Sequence, residues 1–386
     1  MGDPQAFLTR CWGRRAHLAA EAAVGSPLTL ADVDHLIAST ALRLPAFRLV
    51  RGGATIDPTE YTRSARVGSR PISDLVDVAK VHRLHAQGAT IVLQGLHRYW
   101  PPVARLCRQL EIELTHPVQA NAYLTPPGSQ GFNVHADVHE VFAVQTHGRK
   151  QWVVYAASDP DGQRRPELDV TLSGGDCLYV PRGMPHAART VDEASLHLTI
   201  GVRVVTWADL ARRATTQALD DGALAAALPP GWAHEPASAA AQLRALLTAA
   251  TDRLLAMEAA GVLQDEAWSF WSTRPPLLEG QLAHLTHPPM IDDRTVVARR
   301  PGTVAALAVR DGRVLLNLGD RVLRMPARLE APVRHILSAG RLTVGDLAPW
   351  LDEAGRRTLA ARLAREGLLL IPEPSSGERP SEAPAE

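Results

Sequence analysis

A histidine and an aspartate two residues apart, followed by a third histidine after a glycine- and proline-rich turn, constrain this chain more than any other feature. His135 and Asp137 lie in GFNVHADVHEVFAVQTHGRK, and His186 lies in GGDCLYVPRGMPHAA. In an extended strand residues i and i+2 point to the same side, whereas in a helix the same pair would diverge. The valines around His135 and Asp137 predict a strand over residues 133–145. We therefore expect β-structure in which both side chains reach one ion.

The third potential ligand belongs to a turn. Gly175 opens a predicted strand, Pro181-Arg-Gly183 reverses the chain, and His186 begins the return strand. Two nitrogens and one carboxylate can occupy one face of an octahedral Fe(II) ion and leave positions open for an organic cosubstrate and dioxygen. Zn(II) is the alternative metal. The adjacent His139-Glu140 does not form a zinc-protease HExxH motif, because Ala143 takes the last position, so we interpret His139 as a polar strand or turn residue.

Lys150 is the candidate for binding an anionic cosubstrate. Period-two spacing places Lys150, Trp152 and Val154 on one face of a strand. A buried ammonium group is costly unless an anion meets it, and the second carboxylate of a dicarboxylate would be such an anion. The alternative is a solvated lysine in the turn before the strand.

The segment SLHLTIGV alternates in the same way. Ser195, His197 and Thr199 form a polar face, opposite an apolar face of leucines and isoleucine. The polar face predicts a lined pocket if the strand belongs to a small barrel, and the alternative is an ordinary half-exposed strand.

Length and composition set the broad class. With 386 residues the chain exceeds one compact core, so we expect two or three domains. The formal net charge of zero gives no overall basic field for nucleic acid or membrane. The three cysteines form no CxxC pair, which indicates a reducing, cytoplasmic setting. There is no apolar run of about 18 residues, so we predict no membrane span.

The pattern of elements predicts three domains and a tail. Residues 1–206 combine N-terminal helices and strands with a run of short strands typical of a barrel, residues 207–295 are helical, and residues 296–373 read as a winged-helix module. Within the helical part, residues 238–260 carry a leucine stripe wide enough for a partner helix. Residues 374–386, rich in Pro, Ser and Glu, are predicted to be disordered.

The predicted winged helix has a basic helix over residues 353–365, with Arg356, Arg357, Arg362 and Arg365. One interpretation is binding of nucleic acid or an acidic partner. The alternative, which we favour, is a structural module with a solvated basic face.

The motifs together resemble a known family. NAYLTPPGSQGFNVHADVHEVFAVQTHGRKQWVVY, followed by VPRGMPHAARTVDEASLHLTIGV, is similar to the JmjC-type ribosomal oxygenases of the cupin superfamily. The resemblance implies an α+β fold, with a double-stranded β-helix barrel followed by a helical dimerisation segment and a C-terminal winged-helix domain. It also implies an Fe(II)- and 2-oxoglutarate-dependent dioxygenase that hydroxylates a protein side chain.

The resemblance assigns roles residue by residue. His135, Asp137 and His186 match the iron ligands, and Lys150 matches the residue that binds the distal carboxylate of 2-oxoglutarate. Further positions match the lining of the cosubstrate and substrate site, namely Asn121, Tyr123, His197 and Thr199. The chain departs from the family where members read HYDD, because Ala136 and Val138 stand in place of an aromatic and an acidic residue. That departure bears on the substrate.

The sequence therefore predicts a cytoplasmic, homodimeric hydroxylase that acts on a histidine or arginine side chain of a protein such as a ribosomal protein, and nucleic acid is not an expected partner. Two alternatives stay open. One is a hydroxylase of a peptide natural product or an amino acid, with demethylation in place of hydroxylation as a variant. The other is a non-catalytic cupin and winged-helix regulator that binds DNA.

Overall fold

The structure is a computed structural model that describes residues 2–22, 24–129, 133–156, 165–220 and 222–372. It divides into two compact units, residues 1–205 and residues 206–386. The predicted tail, residues 374–386, lies outside the described residues, and the finer division of the second unit stays a prediction.

The first unit contains helices and strands in mixed order. Its helices are α1 Pro4–Arg10, α2 Leu30–Ser39, α3 Val78–Ala86 and α4 Pro101–Leu114. Its strands are β1 His17–Ala19, β2 Phe47–Arg51, β3 Ala54–Thr55, β4 Thr62–Val67, β5 Arg70–Val76, β6 Thr90–Leu93, β7 Val118–Thr125, β8 Glu140–His147, β9 Lys150–Tyr155, β10 Pro166–Leu172, β11 Cys177–Val180, β12 His186–Thr190 and β13 Ser195–Val202.

Two sheets of the first unit form the barrel. An eight-stranded sheet has the order β1-β11-β8-β13-β7-β6-β2-β3, and a three-stranded sheet has the order β10-β9-β12, with antiparallel pairing in both. Side chains from both sheets meet in one apolar cluster that includes Val141, Trp152, Val154 and Leu178. This confirms the predicted cupin-type barrel with mixed helix and strand content.

The alternation along β13 shows which face of this strand points into the barrel. Leu196, Leu198 and Ile200 are buried in a second apolar cluster, which the helices of this unit share. The intervening residues Ser195 and His197 are also buried, yet they belong to the opposite face of the strand. The polar face therefore points into the barrel, and the half-exposed alternative is wrong.

The capping residues at the starts of two helices in the first unit agree with the sequence pattern. Thr29 caps α2, accepting a hydrogen bond from the main-chain N–H of Asp32, while the Asp32 carboxylate accepts from the N–H of Thr29. The apolar spacing from Trp100 to Leu114 predicts a helix, and α4 begins there at Pro101, with Trp100 as its N-cap residue.

The second unit is helical at first and mixed afterwards. Its helices are α5 Trp207–Leu219, α6 Ala240–Ala256, α7 Ala259–Ser272, α8 Gln281–Thr286, α9 Glu330–Ala339 and α10 Glu353–Arg365. Its strands are β14 Val296–Arg299, β15 Ala306–Arg310, β16 Arg313–Asn317, β17 Val322–Pro326, β18 Arg341–Thr343 and β19 Leu369–Leu370. They form sheets of order β18-β14-β19 and β15-β16-β17.

Predictions for this unit meet three corrections. The helix expected to span residues 238–260 is broken, because Met257 takes an extended conformation and ends α6. The sequence also predicts a helix over residues 344–351, but the structure has a single 3-10 turn there, Val344–Leu347. Pro332 is predicted at the first position of a helix, where no N–H is needed. It lies instead at the third position of α9, where the N–H that proline lacks would also be unsatisfied.

The pair Asp311-Gly312 predicts a tight two-residue turn, and the β15–β16 hairpin contains that turn. Asp311 and Gly312 both have positive φ, as a tight two-residue turn requires, and Arg310 pairs with Arg313. Among the helices of the described residues, none is both long enough and apolar enough to cross a lipid bilayer.

Candidate metal centre and cosubstrate pocket

His135, Asp137 and His186 come together at one end of the barrel. One nitrogen or oxygen of each lies within 4.8 Å of the others, so that the three could hold a metal ion. The Nε2 atom of His186 is 3.6 Å from Oδ2 of Asp137, and the two imidazole centroids are 4.6 Å apart. The donor set and spacing fit a first-row divalent cation bound through two histidines and one carboxylate.

The backbone that carries His135 and Asp137 differs from the prediction. Residues 133–139 are not part of a regular strand, β8 begins at Glu140, and Val138 is 88% exposed. His135 instead forms an isolated bridge to His186, in which each main-chain N–H donates to the carbonyl of the other at 3.1 and 2.8 Å. The segment therefore leaves the large sheet to pair with β12, and this cross-connection brings the three ligands together.

Both histidines are oriented by main-chain carbonyls. Nδ1 of His135 lies 2.9 Å from the carbonyl of Asn133, and Nδ1 of His186 lies 3.0 Å from the carbonyl of Met184. A proton on each Nδ1 leaves the lone pair of Nε2 for a metal, which is the usual arrangement of metal-binding histidine. Burial lowers the pKa of His186 below its ordinary value, which favours the neutral, ligating form.

A cavity of about 250 Å³ opens beside these residues. All eight site residues predicted from the sequence line it: Asn121, Tyr123, His135, Asp137, Lys150, His186, His197 and Thr199. The structure thus brings them together in one place, which the linear sequence could not establish.

Lys150 lies at the start of β9, with its side chain in the barrel interior. The residue is buried, and its Nζ atom is 3.2 Å from Oγ1 of Thr125, which in turn is 3.2 Å from the hydroxyl of Thr90. Burial lowers the pKa of Lys150 to about 7. The solvated-lysine alternative is therefore wrong, and an anionic ligand beside the amine would favour its charged form.

Aromatic rings form the wall between Lys150 and the candidate metal ligands. Tyr123 stacks on His197 with a centroid distance of 4.9 Å and an interplanar angle of 9°. Trp152 meets His197 edge-on at 5.4 Å and His186 at 5.9 Å. Burial, and then the charge of Lys150, lower the pKa of His197 well below its ordinary value, so this imidazole is neutral at physiological pH.

Asn121 has a structural contact as well as a place in the cavity. Its Oδ1 accepts a hydrogen bond from the main-chain N–H of Gly95 at 2.9 Å. Gly95 has positive φ, which glycine adopts without strain, so Asn121 fixes the tight turn that follows β6.

Two buried ring nitrogens along this wall have no hydrogen-bond partner among the described residues, Nε1 of Trp152 and Nδ1 of His197. Buried polar groups are normally hydrogen-bonded, and one without a partner calls for a ligand or water. Because these two lie between Lys150 and the candidate metal ligands, the cavity fits an elongated polar molecule that bridges the two ends.

Several lining residues were missed or misread from the sequence, among them Arg48, Thr90, Thr125 and His139. His139 is a cavity residue, not a plain turn position, and its ring packs on β13 so closely that a Cβ at Gly201 would lie 3.0 Å from it. Arg48 could have been suspected, because FRLVR alternates and its apolar neighbours Phe47 and Leu49 are core residues. Nothing local in the sequence places β2 beside β6, however.

The fold and the candidate site define a cupin-type barrel with two histidines and one carboxylate at its mouth. Residues 96–210, which include the three candidate metal ligands, match the model of the JmjC domain family. The resemblance to JmjC-type ribosomal oxygenases that the motifs indicated is confirmed by the relatives.

Among the relatives is the bifunctional lysine-specific demethylase and histidyl-hydroxylase NO66 of Drosophila simulans, 34% identical over 162 residues, or 38% of this chain and 19% of that protein. Ribosomal oxygenase 1 of Danio rerio is 33% identical over 187 residues, 44% of this chain and 34% of the relative. The chain thus spans about a third or less of the length of these relatives.

Among solved structures, the Escherichia coli ribosomal oxygenase YcfD is similar over almost the whole chain. Its complex with cobalt and 2-oxoglutarate has a TM-score of 0.56 at 16% identity, with 95% of this chain and 97% of that chain covered. Its complex with cobalt and succinic acid has a TM-score of 0.57 at 17% identity, with 95% and 97% covered. At this identity the likeness establishes the fold alone.

Proposed function

We propose that this protein is an Fe(II)- and 2-oxoglutarate-dependent oxygenase that hydroxylates a side chain of a protein substrate. The observation that carries the proposal is the cluster of His135, Asp137 and His186 at one end of a cavity whose other end holds a buried lysine. The JmjC domain match, and relatives that are named as oxygenases and hydroxylases, support the same reaction class.

In this proposal His135 and His186 ligate the iron through Nε2, and Asp137 ligates it through its carboxylate. The iron supplies the activation of dioxygen that couples oxidation of 2-oxoglutarate, to succinate and CO2, to conversion of a substrate C–H bond into C–OH. The carbonyls of Asn133 and Met184 hold the imidazoles in the ligating tautomer.

Lys150 has the role of anchor for the distal carboxylate of 2-oxoglutarate. A carboxylate beside its Nζ atom would restore the charged form that burial disfavours. Trp152, His197 and Tyr123 would enclose the cosubstrate and exclude water, and the ring N–H of Trp152 offers a donor to one of its oxygens. Asn121 and Thr199 would line the same passage.

The substrate proposed is a histidine or arginine side chain of a protein such as a ribosomal protein. Support comes from the names of the relatives, which are a histidyl-hydroxylase and ribosomal oxygenases. A cytoplasmic location stays a prediction from cysteine usage.

We also propose that the second unit consists of a helical dimerisation segment, residues 207–295, and a winged-helix module, residues 296–373. Leu243, Leu247 and Leu255 of α6 are exposed, which supports a homodimer contact on this helix. The arginines of α10 do not support nucleic-acid binding, because Arg356, Arg357 and Arg362 lie in ion pairs with Asp293, Glu353 and Glu366.

The test begins with Fe(II)-dependent release of succinate from 2-oxoglutarate by the purified protein. The expected result is turnover that is lost on metal removal and in His135→Ala, and kept in His147→Ala, an exposed histidine at the end of β8 that does not line the cavity. Succinate release that persists after metal removal would refute the proposal.

The substrate is then identified by comparing the proteomes of a deletion strain and its parent. Hydroxylation adds one oxygen to a peptide, whereas demethylation removes a methylene group. A lost single-oxygen modification on a protein supports the proposed function, and a change confined to small molecules favours the natural-product alternative.

A further inference from the structure

Among the described residues that line the cavity, basic side chains outnumber carboxylates. Among the described residues, the lining contains the basic side chains of Arg48 and Lys150 but a single carboxylate, that of Asp137. In the proposed function Asp137 is bound to the metal. No other carboxylate of the described lining is then available to pair with a cationic group that enters from a substrate.

Arg48 lies on the cavity face because of its position in the large sheet. Arg48 is opposite Val92 on β6, Val92 is opposite Tyr123 on β7, and Tyr123 is opposite His197 on β13. Directly opposed residues of neighbouring strands point to the same face. Arg48 therefore extends the row of Tyr123 and His197 toward the edge of the barrel.

The charge of Arg48 acts on the cavity itself. Burial raises the pKa of Tyr123, and the charge of Arg48 is the first of the effects that oppose this rise. The guanidinium is held by a hydrogen bond from Nη1 to Oγ1 of Thr55 at 3.2 Å. Arginine stays charged at any physiological pH whatever hydrogen bonds it makes.

The two cations occupy different parts of the cavity. The Nζ atom of Lys150 contacts Thr125 on β7, whose hydroxyl meets that of Thr90 on β6, and the proposed function assigns Lys150 to the cosubstrate. Arg48 lies on β2, two strands away from β7 in the large sheet. Arg48 is thus in the row of Tyr123 and His197, two residues along β7 from Thr125, which contacts Lys150.

We propose, building on the proposed function, that Arg48 is a specificity residue of this cavity. It narrows the proposed choice of histidine or arginine to the neutral side chain, because it excludes cationic side chains such as arginine and lysine. It favours a side chain with a hydrogen-bond acceptor beside the reacting carbon, which includes neutral histidine, asparagine and aspartate. Like charges placed together in a half-buried site are strongly unfavourable, so one arginine is sufficient for this discrimination.

The test uses five pools of peptides, randomised except for a fixed central histidine, asparagine, aspartate, arginine or lysine. Oxygen incorporation by mass spectrometry and peptide-dependent succinate release are measured for the wild-type protein, Arg48→Gln and Arg48→Glu. We expect the wild type to act on its best acceptor pool about tenfold faster, or more, than on either cationic pool. Arg48→Glu should reduce or reverse this ratio by about tenfold, and Arg48→Gln should change it in the same direction by less.

Arg51→Glu is the matched control, because Arg51 is an exposed arginine on the same strand that does not line the cavity. A second readout is binding of N-acetyl amides of arginine and asparagine to the metal-free protein, followed by ligand-observed NMR. The asparagine probe should bind the wild type more tightly, and Arg48→Glu should favour the arginine probe. If Arg48→Glu fails to fold, Arg48→Gln carries both readouts.

The experiment distinguishes a failure of the proposed function from a failure of the proposed role of Arg48. Absence of Fe(II)-dependent 2-oxoglutarate consumption would refute the proposed function. If Fe(II)-dependent consumption of 2-oxoglutarate is intact, three results would overturn the role of Arg48 alone. They are a wild-type preference for the arginine or lysine pools, the same pool order in the Arg48 variants, and no action on any pool.

Discussion

Two sets of basic side chains in this protein have opposite surroundings. In α10, Arg356, Arg357 and Arg362 each lie beside a carboxylate of the same unit. In the barrel, Lys150 is buried, and among the described residues its hydrogen-bond partner is the hydroxyl of Thr125.

The difference in pairing indicates which basic side chains stabilise the fold and which one binds a ligand. A charge that is paired within the fold is already satisfied, whereas a buried charge without a counterion is costly and persists where a ligand provides one. The sequence sharpens the contrast, because Lys80 and Lys150 are the only lysines of the chain and Lys80 is paired with Asp77. We therefore expect loss of function at Lys150 and loss of stability at the arginines of α10.

The largest effect is expected for Lys150→Met. Removing one partner of a buried charge pair costs about 2–5 kcal/mol, so the KM for 2-oxoglutarate should rise about thirtyfold or more. Steady-state kinetics measure the change, with Lys80→Met as the matched control. A KM within twofold of wild type would show that Lys150 does not meet the cosubstrate.

The pH dependence of folding gives the same variant a second readout. The folded-state pKa of Lys150 is about 7, against an ordinary value of 10.5. Between these pH values the unfolded chain holds one more proton, so the stability of the ligand-free protein rises with pH across this window. Lys150→Met should lack this part of the rise in chemical denaturation measured from pH 7 to 10, and an unchanged profile would contradict the burial argument.

For Arg356→Gln we expect a smaller effect, and one on stability in place of cosubstrate binding. The substitution removes the pair with Asp293, so the unfolding temperature should fall while the KM for 2-oxoglutarate stays at the wild-type value. Differential scanning calorimetry measures the shift, and the exposed Arg365→Gln on the same helix is the control. A change in KM would mean that the paired arginines also serve the active site.

The sequence predicted the local parts of the site well. The candidate ligand set rests on short spacings, and the inward face of β9 follows from period-two alternation, which its alternating burial confirms. β13 is buried on both faces, and its inward face is shown by His197 and Thr199, which line the cavity. The turn at Asp311-Gly312 was predictable for the same reason, since the turn type depends on those two residues.

The non-local parts could not be read from the sequence. Arg48 reaches the cavity because β2 pairs with β6, and such pairing depends on the whole sheet. The carbonyls that orient His135 and His186 are main-chain groups, which every residue has. In the first half of the strand expected over residues 133–145, the bridge between these histidines takes the place of regular strand pairing. This pairing across the barrel depends on contacts with a distant segment, which the local pattern does not contain.

The central claim is that His135, Asp137 and His186 hold one Fe(II) ion with positions left for 2-oxoglutarate. An anaerobic titration with Fe(II), followed by 2-oxoglutarate and monitored by visible charge-transfer absorption, tests it most directly. The account predicts one iron per chain and a 2-oxoglutarate-dependent band that His186→Ala abolishes and His147→Ala retains. Iron binding that is unchanged in His186→Ala, or a bound iron that gives no band with 2-oxoglutarate, would contradict it.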